Sequence, residues 1–159
     1  MNDATGLSSA GSLKRSLEAV QHGSAGLNAR RQSLLDRVPN SNDWAPFEVG
    51  SVEVKDIAYL AASTHHEFAI LRGKTRDILF HGTERHCNFS EELLDLLKTK
   101  KLRLVAHTHP DRDRIVPSLD DRRFLTAIDQ KDSIIISSVT GVERVFNANI
   151  FDDLGGEDI

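Results

Sequence analysis

The stretch Leu102-Arg103-Leu104-Val105-Ala106-His107-Thr108-His109-Pro110, continued by Pro117-Ser118-Leu119-Asp120-Asp121, sets the reading of this chain. Residues 102–107 have the make-up of a short buried strand, and His107 and His109, two positions apart, project from the same side of its end. The polar loop beyond them stops at Ser118, a good helix N-cap. Asp120 and Asp121 therefore fall in the first turn of the next helix, where a carboxylate can face back across the loop. Two imidazoles and one carboxylate could then share one metal ion and leave a fourth position open, as in catalytic rather than structural zinc sites. Each piece alone has an ordinary explanation. An H-x-H pair is a weak signal, and S-x-x-D is a capping-box variant whose acid suits the positive end of a helix. Their close succession along the chain is what points to a metal.

On either side of this stretch, the pattern alternates helix and strand. A helix is expected near residues 55–64, a strand at 67–72, a turn at Gly73-Lys74 and a strand at 76–81, which together suggest a hairpin. Ser90 caps a helix with Glu91 and Glu92 in its first turn, Leu93, Leu94, Leu96 and Leu97 on its buried side, and Lys98, Lys100 and Lys101 at its negative end. After the strand of the two histidines comes a helix from Ser118 to about Gln130. A β-branched strand at 132–138 and a last strand around 143–147, reached through Gly141, complete an α/β chain with a mixed sheet and helices on its faces. Four acids, Glu48, Glu53, Glu67 and Glu84, lie upstream of the histidines. Glu67 stands apart because it begins an apolar strand directly after a helix.

The constellation resembles the JAB/MPN domain, the JAMM metalloprotease family, whose motif is an upstream Glu, then H-[ST]-H-P, a short loop and S-x-x-D. The resemblance implies that His107, His109 and Asp121 hold Zn2+, that Glu67 is the general base, and that Ser118 helps to stabilise the oxyanion. It also implies a fold with cytidine-deaminase-like layering over residues 46–148. The usual spacing puts the Ser eight and the Asp eleven residues after the second His, whereas here Ser118 is nine and Asp121 twelve after His109. Asp121 keeps the S-x-x-D geometry rigid if the loop from Asp111 to Val116 absorbs one residue; Asp120 stays open as the alternative. The run Ile78-Leu79-Phe80-His81-Gly82-Thr83 adds a RadC-like flavour. The implied activity is zinc-dependent hydrolysis of a peptide or isopeptide bond, with a protein or peptide substrate that in many relatives is ubiquitin-like. The alternatives are a non-catalytic scaffold of the same fold, or an accessory module of a DNA-repair, phage or mobile-element system.

Other metal motifs fail on their missing ligands. A metallo-β-lactamase pattern needs a further His after Asp111, where Arg112 stands. A zinc deaminase needs P-C-x-x-C, and Cys87 is the chain's only cysteine. Cys87 reads as a small hydrophobe, and His65 and His66 as surface residues beside the site. The net charge of −4 and pI near 6.0 speak against a nucleic-acid partner, because duplex phosphates call for a concentrated basic surface. Arg112, Arg114, Arg122 and Arg123 are interleaved with Asp111, Asp113, Asp120 and Asp121. One cysteine excludes an intramolecular disulfide, no apolar run is long enough for a bilayer, and residues 1–12 lack signal-peptide architecture. A cytoplasmic location is the expectation.

Residues 1–45 form a polar N-terminal extension with two short amphipathic segments, one carrying Leu13, Leu17 and Val20, the other Leu27, Leu34, Leu35 and Val38. Each is too short to be stable without something to pack on. They are expected to dock on the catalytic domain, on a partner or second subunit, or to stay partly disordered. Pro39-Asn40-Ser41-Asn42 closes this region as a turn, Trp44 and Phe47 anchor the chain to the core, and residues 149–159 read as an acidic tail.

Overall fold

The computed structural model describes residues 6–112 and 114–150, with side chains from residue 11 onward. The acidic tail beyond residue 150 and Asp113 of the loop lie outside the described residues. Among the described residues, five helices and six strands follow one another as α1 (Gly6–Gln21), α2 (Ala29–Asp36), β1 (Trp44–Glu48), α3 (Val54–Thr64), β2 (Phe68–Arg72), β3 (Arg76–His81), α4 (Glu91–Lys98), β4 (Arg103–His109), α5 (Leu119–Ala127), β5 (Asp132–Ser137) and β6 (Glu143–Asn147). The strands make one sheet in the order β1-β3-β2-β4-β5-β6. β4 and β5 run parallel and every other neighbouring pair is antiparallel. A parallel pair needs a crossover, and α5 supplies it. The protein is thus a mixed α/β fold.

Side chains alternate along β2 and divide the core in two. Phe68 and Ile70 pack with Leu17 of α1, Leu34 of α2 and Ile57 and Leu60 of α3, whereas Ala69 and Leu71 pack with Leu93 and Leu97 of α4 and Leu125 of α5. Helices α1–α3 therefore cover one face of the sheet, and α4 and α5 the other. Burying a Leu, Ile or Phe completely is worth about 1.5–3 kcal/mol, so both layers contribute substantially to stability.

A bulge in β4 decides where the histidines point. Against β2, Ala106 pairs with Ile70 and Leu104 with Leu71, which leaves Val105 as an extra residue. Leu102 and Leu104 face the α4–α5 layer, Val105 and Ala106 the other. The additional residue shifts the two-residue alternation by one. His107 and His109 are thereby brought back to the α4–α5 side, in phase with Leu104.

Two parts of the structure go beyond the sequence expectation. Trp44 and Phe47 are not isolated anchors: they belong to edge strand β1, which pairs with β3 from Trp44–Phe80 to Glu48–Arg76. Pro46 offers no N–H, and an edge strand tolerates that. The boundary drawn at residue 45 falls inside this strand. The segment before it lies on α3 of the same chain: Leu17, Val20, Leu34 and Val38 are buried in one cluster with Ile57, Ala58 and Leu60. Asp56 of α3, with its side chain fully buried, accepts from Arg30 (Nη1 at 2.7 Å) and Arg31 (Nε at 2.9 Å) of α2. Tyr59 Oη donates to Ser16 Oγ of α1 at 2.7 Å. α3 is buried from Asp56 to Ala62, an apolar surface that the short N-terminal helices cover. Among the described residues, no helix is long and apolar enough to cross a membrane.

Candidate metal centre

The site lies at the carboxyl end of β4, where the chain leaves the sheet towards α5. Ser118 caps α5: its Oγ accepts from Asp121 N at 3.0 Å, and Asp121 Oδ2 accepts from Ser118 N at 2.9 Å. This reciprocal cap locks the Asp121 side chain and satisfies two otherwise orphaned donors of the helix end. Asp121 then stands between the histidines, with Oδ1 3.1 Å from His107 Nε2 and Oδ2 3.0 Å from His109 Nε2. One potential ligand atom from each of the three residues lies within 4.8 Å of the others, close enough to hold a metal ion. Asp120 is not among these converged residues, although it lines the same cavity. Its side chain is 86% exposed, and its carboxylate lies 3.9 Å from Arg123 Nη1.

The surroundings set the electrostatics. Burial opposes ionisation of Asp121, but hydrogen bonds from His107 and His109 outweigh it and hold the carboxyl well below the usual carboxylate range. For His109 burial again works against the charged form, and the hydrogen bond and charge of Asp121 overcome it, so its pKa is raised. His107 is edge-on to Phe146 of β6, with ring centroids 5.8 Å apart, and its buried Nδ1 has no hydrogen-bond partner among the described residues. The polar anchoring of this ring thus rests on Nε2, the nitrogen turned to Asp121. A set of two imidazoles and one carboxylate, partly buried and converged, could hold a metal ion.

Glu67 shares the cleft. A cavity of about 400 Å³ is lined by Glu67, His107, His109, Ser118 and Asp121, with Phe89 and Phe124 on its apolar side. Burial pushes the Glu67 carboxyl up to about 7; the charge of His109 works against this, while Asp121 and Asp111 add to it. The backbone at this point is tightly held: Glu67 N donates to Thr83 O at 2.8 Å, and Gly82 N donates to Glu67 O at 2.6 Å. A side chain at position 82 would place its Cβ 2.4 Å from His86 O and 3.0 Å from Glu67 O, so only glycine fits there. Of the other upstream acids, Glu48 lies in β1, Glu53 caps α3 and Glu84 sits in the turn after β3. None of the three lines this cleft.

Several neighbours were not legible as site residues. Asp111 places Oδ2 3.3 Å from His109 Nδ1 and is itself held by Val116 N and, through its carbonyl, by Ser137 Oγ. It is an outer carboxylate orienting a histidine; its place two residues after His109 was its only signal. Cys87 lines the cleft beside Glu67, and its thiol is pushed up by burial, then by the charges of Glu67 and Asp121, which suits an inert small side chain. His65 is exposed, in the left-handed conformation (φ 62°) that ends α3. His66 is half-buried, and its Nδ1 lies 2.8 Å from Nε2 of buried His81, whose Nδ1 donates to Val38 O at 2.7 Å. This chain of contacts ties the approach to Glu67 to the N-terminal segment.

Comparison with protein-family models, with curated proteins and with solved structures returns no match.

Proposed function

We propose that the protein is a zinc-dependent peptidase or isopeptidase with JAB/MPN-like layering. The observation that carries this reading is one cleft holding a His-His-Asp set together with a desolvated glutamate. His107, His109 and Asp121 would hold the ion through Nε2, Nε2 and a carboxylate oxygen. Zinc, when bound, supplies Lewis acidity, which makes water nucleophilic near neutral pH and polarises a carbonyl.

The remaining chemistry belongs to the protein. Glu67, with a carboxyl near 7, is matched to taking a proton from the attacking water and returning it to the leaving amine. Ser118 uses its oxygen to accept from Asp121 N, which leaves its hydroxyl proton available to a developing oxyanion. Asp111 holds the ring of His109 from its other nitrogen. The substrate of this reading is a peptide or isopeptide bond, with a ubiquitin-like protein as the partner to assay first.

The test is Glu67→Gln, which fills the same space but cannot accept a proton. Turnover of ubiquitin-like fusions or peptide libraries should fall about 10²- to 10⁴-fold, with zinc retained at the wild-type ratio. A Gln variant with full activity, or one that has lost its metal, refutes the role. A wild-type protein that binds no zinc at neutral pH would favour the scaffold alternative.

A further inference from the structure

At the end of the sheet opposite the metal centre, the fold gathers positive charge that is scattered in the sequence. We propose that this end is a groove for the phosphate backbone of a nucleic-acid duplex. The β2–β3 turn and the α4–β4 connection come together there in a groove of about 600 Å³. Five of its nine lining residues are Lys or Arg and none is acidic.

Gly73 makes the meeting of these two loops possible. A Cβ at this position would lie 3.1 Å from Lys101 O and 3.2 Å from Leu102 Cδ2, so the bare backbone of the turn rests directly on the other loop. Two of the cations are fixed. Arg72 donates to buried Asp77 at 2.8 and 2.9 Å, and Lys100 Nζ donates to Ile128 O at 2.6 Å and to Asp129 O, closing the end of α5. Lys74, Arg76 and Lys101 are exposed and make no side-chain ion pair or hydrogen bond among the described residues. Acids beside these cations are paired or offset: Asp77 with Arg72, Asp129 with Lys100 at 3.8 Å, Asp132 with Arg103, and Glu48 stands across the strand pair from Arg76.

The charge and lining of the groove select the partner. The protein carries a net charge of −4, so a patch of this sign reflects local concentration rather than overall excess. Protein interfaces are poor in Lys and rich in aromatics, whereas this groove is rich in Lys and has no aromatic lining residue. The lack of a ring also removes the stacking platform that unpaired bases use, which favours a duplex over a single strand. β4 runs from Arg103, beside the groove, to His109, which at a strand rise of about 3.3 Å per residue puts the two sites about 20 Å apart. A duplex bound here would leave the metal cleft open.

The experiment is fluorescence anisotropy of the full chain with a labelled random-sequence DNA duplex, titrated between about 50 and 200 mM salt. Three phosphate contacts give a slope of log K against log salt of about −3. The triple variant Lys74→Glu, Arg76→Glu, Lys101→Glu should bind at least tenfold more weakly with a flatter slope, while retaining the wild-type zinc content and circular dichroism. No binding at low salt, a wild-type slope near zero, or equal affinity of the triple variant would each overturn the proposal. So would competition by poly-glutamate as effective as that of the duplex at equal charge. If the triple variant does not fold, the charge-neutralising variant Lys74→Gln, Arg76→Gln, Lys101→Gln makes the same comparison, and equal affinity there overturns the proposal. Because neither readout involves catalysis, its outcome is separate from that of the peptidase reading.

Discussion

Asp56 and Asp121 begin from the same local design and end in different chemistry. Each sits at the third position of a helix, and each carboxylate reaches back to the backbone N–H of the cap residue, Glu53 for Asp56 at 2.8 Å and Ser118 for Asp121 at 2.9 Å. Both carboxyls are opposed by burial and pulled below the usual range by their partners. The partners make the difference. Asp56 meets Arg30 and Arg31, which keep their charge at every relevant pH and bind no metal. Asp121 meets two histidines, whose protons can be exchanged for a cation. An N-terminal helix acid is thus a structural clamp or a candidate ligand according to what the rest of the fold puts in front of it.

The largest effect expected from breaking this pair is that of Asp121→Ala on metal. Losing a ligand should cost more than the roughly 10- to 100-fold in zinc affinity that an outer partner such as Asp111 is worth. Hydrolysis should disappear with the metal, and the domain should stay folded. Zinc titration by competition with a chelator measures it, and an unchanged affinity would remove Asp121 from the site.

Asp56→Ala should do the reverse, lowering stability by about 3 kcal/mol while zinc stoichiometry stays the same. The cost sits at the low end for a broken buried pair because Arg30 is half exposed and can regain water. Urea denaturation in zinc-free buffer measures it. The pH dependence sharpens the contrast. Asp56 has a depressed pKa, so its contribution is present above the unfolded value of 3.8 and is lost only as pH falls through the folded one. His109 has a raised pKa, so the contribution of its charged form is complete below 6.5 and is lost as pH rises through the folded value. The raised carboxyl of Glu67 also makes stability fall with rising pH, between 4.5 and about 7. In a Glu67→Gln background, zinc-free protein should therefore lose stability as pH rises past 6.5, and zinc affinity should increase over the same range. A flat profile would break the histidine half of the comparison.

The smallest effect belongs to Asp120→Ala. This exposed acid is in the first turn of α5 and borders the cleft outside the converged set, so zinc affinity should hold and stability should drop by about 0.3–1 kcal/mol at most. Severe loss of metal in this variant would transfer the ligand role from Asp121 to its neighbour.

Much of this was legible in the linear chain because it depends on local periodicity and capping. The H-x-H pair at a strand end, Ser118 as the cap of α5, Ser90 as the cap of α4 and the β2–β3 hairpin all follow from side-chain spacing and backbone hydrogen-bonding needs. Relations between distant segments had no such signature. Strand β1 was hidden by Pro46 and became a strand because β3 offered it an edge. The bulge at Val105, which turns both histidines toward Asp121, exists only in the pairing of β4 with β2. The choice between two adjacent aspartates, the desolvation that lifts Glu67, and the meeting of the Lys74 and Lys101 loops across Gly73 likewise arise from packing. Spacing and capping along the chain settled which groups were on offer and how each element begins and ends. Tertiary structure decided which groups face one another, since burial and charge act through space rather than along the chain.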